Sequence, residues 1–354
     1  MIIILGGGFA GLLCALRLRQ HTQVLLINAS PHFEERTRLH QLAAGHRLPQ
    51  LRLEESLPGQ FLQGWVTAIQ PVARQVEVAT AEGLQTIDYQ KLVIALGSHT
   101  DVSRLPGAAE HCYTLDGESA RRLARDLPDR GRILVIGDGL TAVELASELA
   151  ESHPGLQVSL AGAHQPGHDL SASAAGYLRA TLEQMGVTVH QQRIREVQAG
   201  RADGLEFDLA VYCGGFRACP LASEAGLPVN ERGQLLVDET LRCPRYPEIW
   251  GIGDAASPPV SQRMACATAL PMAQLAAANL LAELEDRPLK PFRHRFLGRC
   301  FSLGRRRGLL QFVRADDSSL PFYLWGGLAA WTKEKILSGI ALGSLKRAAH
   351  RAGR

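Results

Sequence analysis

Two glycine-rich turns constrain this chain more than anything else in it. The first is Ile2-Ile3-Ile4-Leu5-Gly6-Gly7-Gly8-Phe9-Ala10-Gly11, and the second is Ile133-Leu134-Val135-Ile136-Gly137-Asp138-Gly139-Leu140-Thr141-Ala142. Each sets an apolar, β-branched run ahead of G-x-G-x-x-G/A. Such a run reads as a buried parallel strand, and the glycines let it turn sharply into a helix whose first N–H groups stay open to a pyrophosphate. One turn of this kind points to one dinucleotide; two point to two, with something passing between them. At 354 residues, 46% apolar and 21% charged, the chain is long enough for two or three domains around a substantial core.

The pattern around the first turn completes a βαβ unit: a helix from Gly8 to about Gln20, then a strand from Thr22 to Asn28. Asn28 stands where an acid usually binds the adenosine ribose, and its amide can still bond a hydroxyl. Residues 61–90 alternate apolar and polar around turn residues, which predicts a β-meander ahead of the strand Lys91–Gly97. After a polar crossover at Asp101–Gly107 the second unit follows. Its expected elements are helix Leu140–Glu151, strand Gln157–Ala161, helix Ala172–Met185, strand Val187–His190 and return strand Leu209–Cys213. A long Ala-rich helix is expected from about Pro271 to Leu284.

The small total charge of +3 hides an asymmetry. Residues 287–354 hold 15 Lys or Arg against 3 acidic residues, a net +12, so residues 1–286 carry −9. Such a tail attracts an anionic membrane, nucleic acid or an acidic partner, or is a solvated surface beside cofactor phosphates. Its Tyr323–Trp331 stretch, with Ile336, Leu337 and Ile340 beyond, suits an interfacial anchor, while Lys333, Glu334 and Lys335 break any membrane-spanning run. No nucleic-acid recognition motif accompanies the arginines, and no nucleic acid is expected. The seven cysteines include no C-x-x-C, which argues against zinc and against a disulfide framework. With strand one starting at Met1, no signal peptide is expected and the cytoplasm is the expected compartment, with the membrane's cytoplasmic face as a second location.

Taken in order, Gly6/Gly8/Gly11, Leu92–Gly97, Gly137/Gly139/Ala142 and Ile252-Gly253-Asp254 resemble the two-dinucleotide flavoproteins of the pyridine nucleotide-disulfide oxidoreductase superfamily. The stretches Arg36–Gly45, Gly137–Ala146 and Leu270–Ala276 are most similar to type II NADH dehydrogenases and their apoptosis-inducing-factor-like relatives. The resemblance covers about the first 285 residues. It implies an α/β fold of two Rossmann-like domains: FAD on residues 1–103 and 216–285, NAD(P)H on 104–215, and a basic C-terminal extension over 286–354, read as a separate segment. By the same resemblance, FAD would contact Gly6, Gly8, Phe9, Ala10, Gly11, Asn28, Arg38, His40, Gly97, Gly253, Asp254, Pro271 and Met272. Gly253-Asp254 would meet the ribityl chain, and a helix starting near Pro271 would aim its dipole at the flavin. NAD(P)H would contact Gly137, Gly139, Leu140, Thr141, Ala142, Glu144 and Gly214, with Glu144 the catalytic candidate.

The region around Arg36–Gly45 has no cysteine, so a dithiol relay is not expected and electrons must leave the flavin directly. The first reading is a hydride from NAD(P)H to FAD, then two electrons to a quinone-like small molecule. Rival readings are a reductase of an iron–sulfur protein docked on the basic tail, and a nucleotide-responsive flavoprotein that acts by binding a partner. A homodimer is among the expected assemblies. No metal is expected. The strand Gln157–Ala161 ends in Gly162-Ala163-His164 with neither acid nor arginine, which removes the usual rejection of a 2′-phosphate and leaves NADPH open, while the resemblance to type II NADH dehydrogenases implies NADH.

Overall fold

The computed structural model describes residues 1–260, 263–341, 343 and 345; Lys346 and Arg347 of the basic tail, and the side chain of Ile340, lie outside the described residues. In chain order, β1 (Ile2–Leu5) turns into α1 (Phe9–Leu18) and returns as β2 (Val24–Asn28). A short helix, α2 (Leu39–Ala43), precedes β3 (Phe61–Gln63), β4 (Trp65–Gln70), β5 (Gln75–Thr80), β6 (Gly83–Asp88) and β7 (Lys91–Ile94). The second unit holds β8 (Tyr113–Thr114), α3 (Gly117–Asp126), β9 (Gly131–Ile136), α4 (Leu140–Ser152), β10 (Leu156–Gly162), α5 (Ala172–Gln184), β11 (Thr188–Gln191) and β12 (Leu209–Tyr212). The chain then supplies β13 (Ile249–Gly251) and α6 (Cys266–Leu284), and continues through β14 (Gly298–Leu303), β15 (Arg307–Val313), β16 (Ser319–Trp325) and α7 (Gly326–Lys335).

Two five-stranded parallel sheets carry the two glycine turns. Their orders are β13-β7-β1-β2-β3 and β8-β12-β9-β10-β11. In each, the strand that feeds the turn is central, with its neighbours drawn from opposite directions along the chain. Leu5 pairs with Ile27 and Ile94; Ile136 pairs with Ala161 and Tyr212. The connections therefore part at the carboxyl end of β1 and of β9, leaving a crevice there. The strands are buried on both faces, which is why their sequences run apolar rather than alternating. Each fully buried Ile or Leu contributes about 1.5–3 kcal/mol.

The meander forms as its alternation predicts: β4, β5 and β6 pair antiparallel, burying Val66, Ile69, Val76 and Val78 while Trp65 stays exposed. The C-terminal segment, read from sequence as separate, is packed into the second core. Strands β14, β15 and β16 form an antiparallel sheet, and Phe301, Leu303 and Leu309 lie fully buried in one cluster with Leu145 and Leu149 of α4. Charge pattern had suggested a solvated tail; the alternate apolar residues of β14 and β15 instead supply the missing cover for α4.

One helix start needs correction. The Ala-rich helix begins at Cys266, not near Pro271, because Ala265 takes an extended conformation and its carbonyl accepts the N–H groups of Thr268 and Ala269. Pro271 therefore sits inside α6, beyond the turn whose N–H groups are free, and its missing donor falls where a bond to Ala267 would run. The helix dipole ends a turn away from Pro271.

Candidate functional site

At the first turn the backbone tolerates only glycine. Gly6 has φ +101°, and a Cβ on Gly11 would stand 1.8 Å from the Gly6 carbonyl oxygen. Gly8 begins α1 without a side-chain cap, so the helix's first N–H groups remain available to an anion. Asn28 also has bonds within the turn: its Oδ1 accepts the Gly7 N–H at 2.8 Å and its Nδ2 donates to Ser30 O at 2.8 Å. It pins the turn, leaving one amide hydrogen and the second lone pair for a ribose.

Gly253 comes to the same place from 240 residues away in sequence. Its φ is +66°, and a Cβ there would lie 3.1 Å from that of Ala10. Asp254 next to it accepts from Ser98 Oγ at 2.7 Å and from the Ala265 N–H, and burial raises its carboxyl above the usual range despite those bonds. Arg36 donates to the Ser98 carbonyl, tying Gly97 and Ser98 to the region that leads into α2. Phe9 packs edge-on against Phe33, 5.0 Å between ring centres. Met272 is buried in the first core.

The second turn repeats the design. Gly137 has φ +143°, and Gly139 starts α4 without a side-chain cap, so Leu140, Thr141 and Ala142 open an uncapped helix N-terminus. Asp138 accepts the His164 N–H at 2.8 Å and faces its Nδ1 at 3.0 Å, while the His164 ring stacks on His168 at 4.5 Å. A Cβ on Gly214 would collide with the Tyr212 ring. Both turns have the build of a dinucleotide site.

Between them lies a polar cluster. Glu144, one turn into α4, accepts the Ser302 N–H at 2.9 Å and the Ser302 hydroxyl at 3.1 Å, and is paired with the Lys333 ammonium. Lys333, only 5% exposed, also donates to Ser302 Oγ at 2.8 Å. Burial pushes the Glu144 carboxyl up, but the Lys333 ammonium and the Ser302 N–H outweigh it and hold the group below its ordinary value. His40 Nδ1 stands 4.0 Å from Glu144, and burial drives that imidazole down to about 3, so it is neutral. Arg38, expected at the flavin cleft, is clamped between Glu35 at 2.8 Å and Glu334 of α7 at 2.5 Å.

Residues 1–276 match the family described as pyridine nucleotide-disulphide oxidoreductase. The chain belongs to that family. This oxidoreductase is similar to an NADH dehydrogenase-like protein of Mycobacterium tuberculosis, 26% identical over 333 residues and covering 82% of each chain. It is likewise similar to the demethylphylloquinone reductase NdbB of Synechocystis, 27% identical over 346 residues, covering 86% of this chain and 84% of the relative. Its fold matches that of NDH2 from Plasmodium falciparum, solved with NADH, at a TM-score of 0.81 and 15% identity over 99% of this chain and 96% of that one.

In this oxidoreductase, sequence reasoning missed Ser98, Ser302, Lys333 and Glu148. The signal for Glu148 was present: it follows Glu144 by one helical turn of α4. Ser302 and Lys333 carried no signal, since both come from the segment that charge set apart.

Proposed function

We propose that this protein is an FAD-dependent NAD(P)H dehydrogenase that delivers two electrons to a quinone. FAD supplies, when bound, the ring that accepts a hydride and passes electrons on. Gly6, Gly8, Phe9, Ala10, Gly11, Asn28, Gly97, Gly253 and Asp254 would hold it, and Gly137, Gly139, Leu140, Thr141, Ala142 and Gly214 would hold the nicotinamide nucleotide. The observation that carries the reading is the Glu144–Lys333–Ser302–His40 cluster, where α2, α4 and the C-terminal segment meet. A quinone that gains electrons also needs protons and hydrogen-bond donors at its carbonyl oxygens. This cluster offers an ammonium, a hydroxyl and an imidazole next to one another. The quinone named for the Synechocystis relative and the NADH of the Plasmodium structure fit the same reading. Within it, residues 1–103 and 216–285 form the FAD domain, 104–215 the NAD(P)H domain and 286–354 the extension that completes the site.

NADH is the proposed donor: Asp138, set against His164, places a negative charge near the nucleotide end of β10. Phe322, Trp325, Leu328 and Trp331 are exposed on β16 and α7, and support a peripheral contact with a membrane, from which a quinone would enter. No described helix is long and apolar enough to cross one. Anaerobic assays with ubiquinone and menaquinone analogues test the proposal. NADH-dependent turnover is expected, and flavin bleaching by NADH with no quinone turnover would overturn it.

A further inference from the structure

Reduction of a quinone by NADH forms two O–H bonds. The hydride brings two electrons and one proton, so the second proton must come from water. The structure holds a line of groups from the buried cluster to the surface. Glu144 Oε2 is 4.0 Å from His40 Nδ1, and His40 Nε2 is 3.9 Å from Glu148 Oε2 and 3.2 Å from Ser302 Oγ. Glu148 Oε1 is 3.0 Å from Nε2 of His46, a partly exposed ring that also bonds Ser152 Oγ at 3.0 Å.

Glu148 is the unusual member. Its carboxyl is 0% exposed, and among the described residues neither oxygen has a hydrogen-bond partner, since His46 lies close but off the line of a bond. A buried carboxylate without donors is costly.

We propose, resting on the quinone reading above, that Glu148 is the middle station of a proton relay from His46 through His40 to Glu144, supplying the proton that quinone reduction takes from water. The neutral His40 ring takes a proton on Nε2 and releases one from Nδ1, keeping its charge unchanged over the cycle. The two gaps near 4 Å exceed a hydrogen bond by about 1 Å, so each transfer requires the carboxylate facing that nitrogen to swing towards the ring. Burial, opposed by Arg305, pushes the Glu148 carboxyl up to about 7, so it exchanges its proton readily at neutral pH. Arg305 Nε lies 3.9 Å from Glu148, on which Glu151, Glu144 and Lys333 also act; Arg305 and His153 lower His46 while Glu151 raises it; and Lys333, Arg305 and Arg38 lower His40 while Glu144 raises it.

The test compares wild type, Glu148→Gln and His46→Ala, each loaded with FAD. Flavin bleaching by NADH and its reoxidation by a ubiquinone analogue are followed separately by stopped flow from pH 6 to about 9. Infrared difference spectra follow the carboxylic-acid carbonyl band. Reoxidation should slow about 100-fold in both variants at the alkaline end, where protons are scarce, with bleaching little changed. Imidazole buffer should restore His46→Ala. The wild-type band should titrate near pH 7 and be missing from Glu148→Gln. Wild-type reoxidation rates in both variants, or no titrating band, would overturn the relay. A wild-type protein that bleaches with NADH yet never reduces quinone overturns the quinone reading itself, a result distinct from either.

Discussion

Lys333 and Glu144 form an ion pair across 189 positions of sequence, joining α7 to the first turn of the second nucleotide helix. The pair decides the charge state of the cluster between the two glycine turns, and it binds the C-terminal segment to the core through a contact that apolar packing alone would not specify.

Lys333→Met should leave Glu144 buried without its cation and destabilise the protein by about 3–5 kcal/mol in urea melts. Adding Glu144→Gln should recover part of that loss. The sign in acid also follows. Glu144 has a lowered native value, so its stabilisation is present above the unfolded carboxyl value of 4.5 and is lost as pH falls through the native one. Wild type should therefore lose stability in that acid range more steeply than Glu144→Gln.

Glu148 works in the opposite direction. Its carboxyl rises from 4.5 in the unfolded chain to about 7 in the native one, so the unfolded chain ionises first and stability falls as pH climbs between those values. The loss amounts to about 3 kcal/mol. Glu148→Gln removes it, and thermal melts at pH 5 and 8 should show the variant gaining on wild type at the higher pH.

Gly11→Ala puts a methyl where the Gly6 carbonyl already sits. The turn must open to admit it, at a cost of about 1–3 kcal/mol. Purified variant should carry little flavin, read from its absorbance spectrum, even where circular dichroism reports a folded chain.

His164→Arg should shift donor preference. It exchanges a ring paired with Asp138 for a fixed cation beside the second turn, and the ratio of kcat/KM for NADPH over NADH should rise about tenfold, equal to about 1.4 kcal/mol.

Trp331→Glu should weaken co-sedimentation with anionic vesicles while leaving NADH bleaching of the flavin intact, because Trp331 is exposed on α7. Removing residues beyond 285 is the wrong test of membrane contact, since Phe301, Leu303 and Leu309 are part of the second core.

The sheets, the meander and both turns were legible because each rests on local pattern: apolar runs before glycines, and alternation between turn residues. The bonds of Asn28 to Gly7 and Ser30 were not legible, because they depend on how the turn folds back on β2. Lys333 and Ser302 were not legible, because only tertiary packing brings them to Glu144. The Pro271 error has a similar source: proline marks helix starts statistically, while the actual start was set by the extended backbone at Ala265.

The distance in sequence between Glu144 and Lys333 has a consequence for synthesis. The turns at Gly6–Gly11 and Gly137–Ala142 are synthesised well before position 333, so Glu144 stays on the nascent chain without its cation until α7 arrives. A chain halted short of Lys333 would thus carry both turns and an acidic Glu144 with no ammonium to pair it. Synthesis of α7 is then the step that completes the ion pair and closes the cluster.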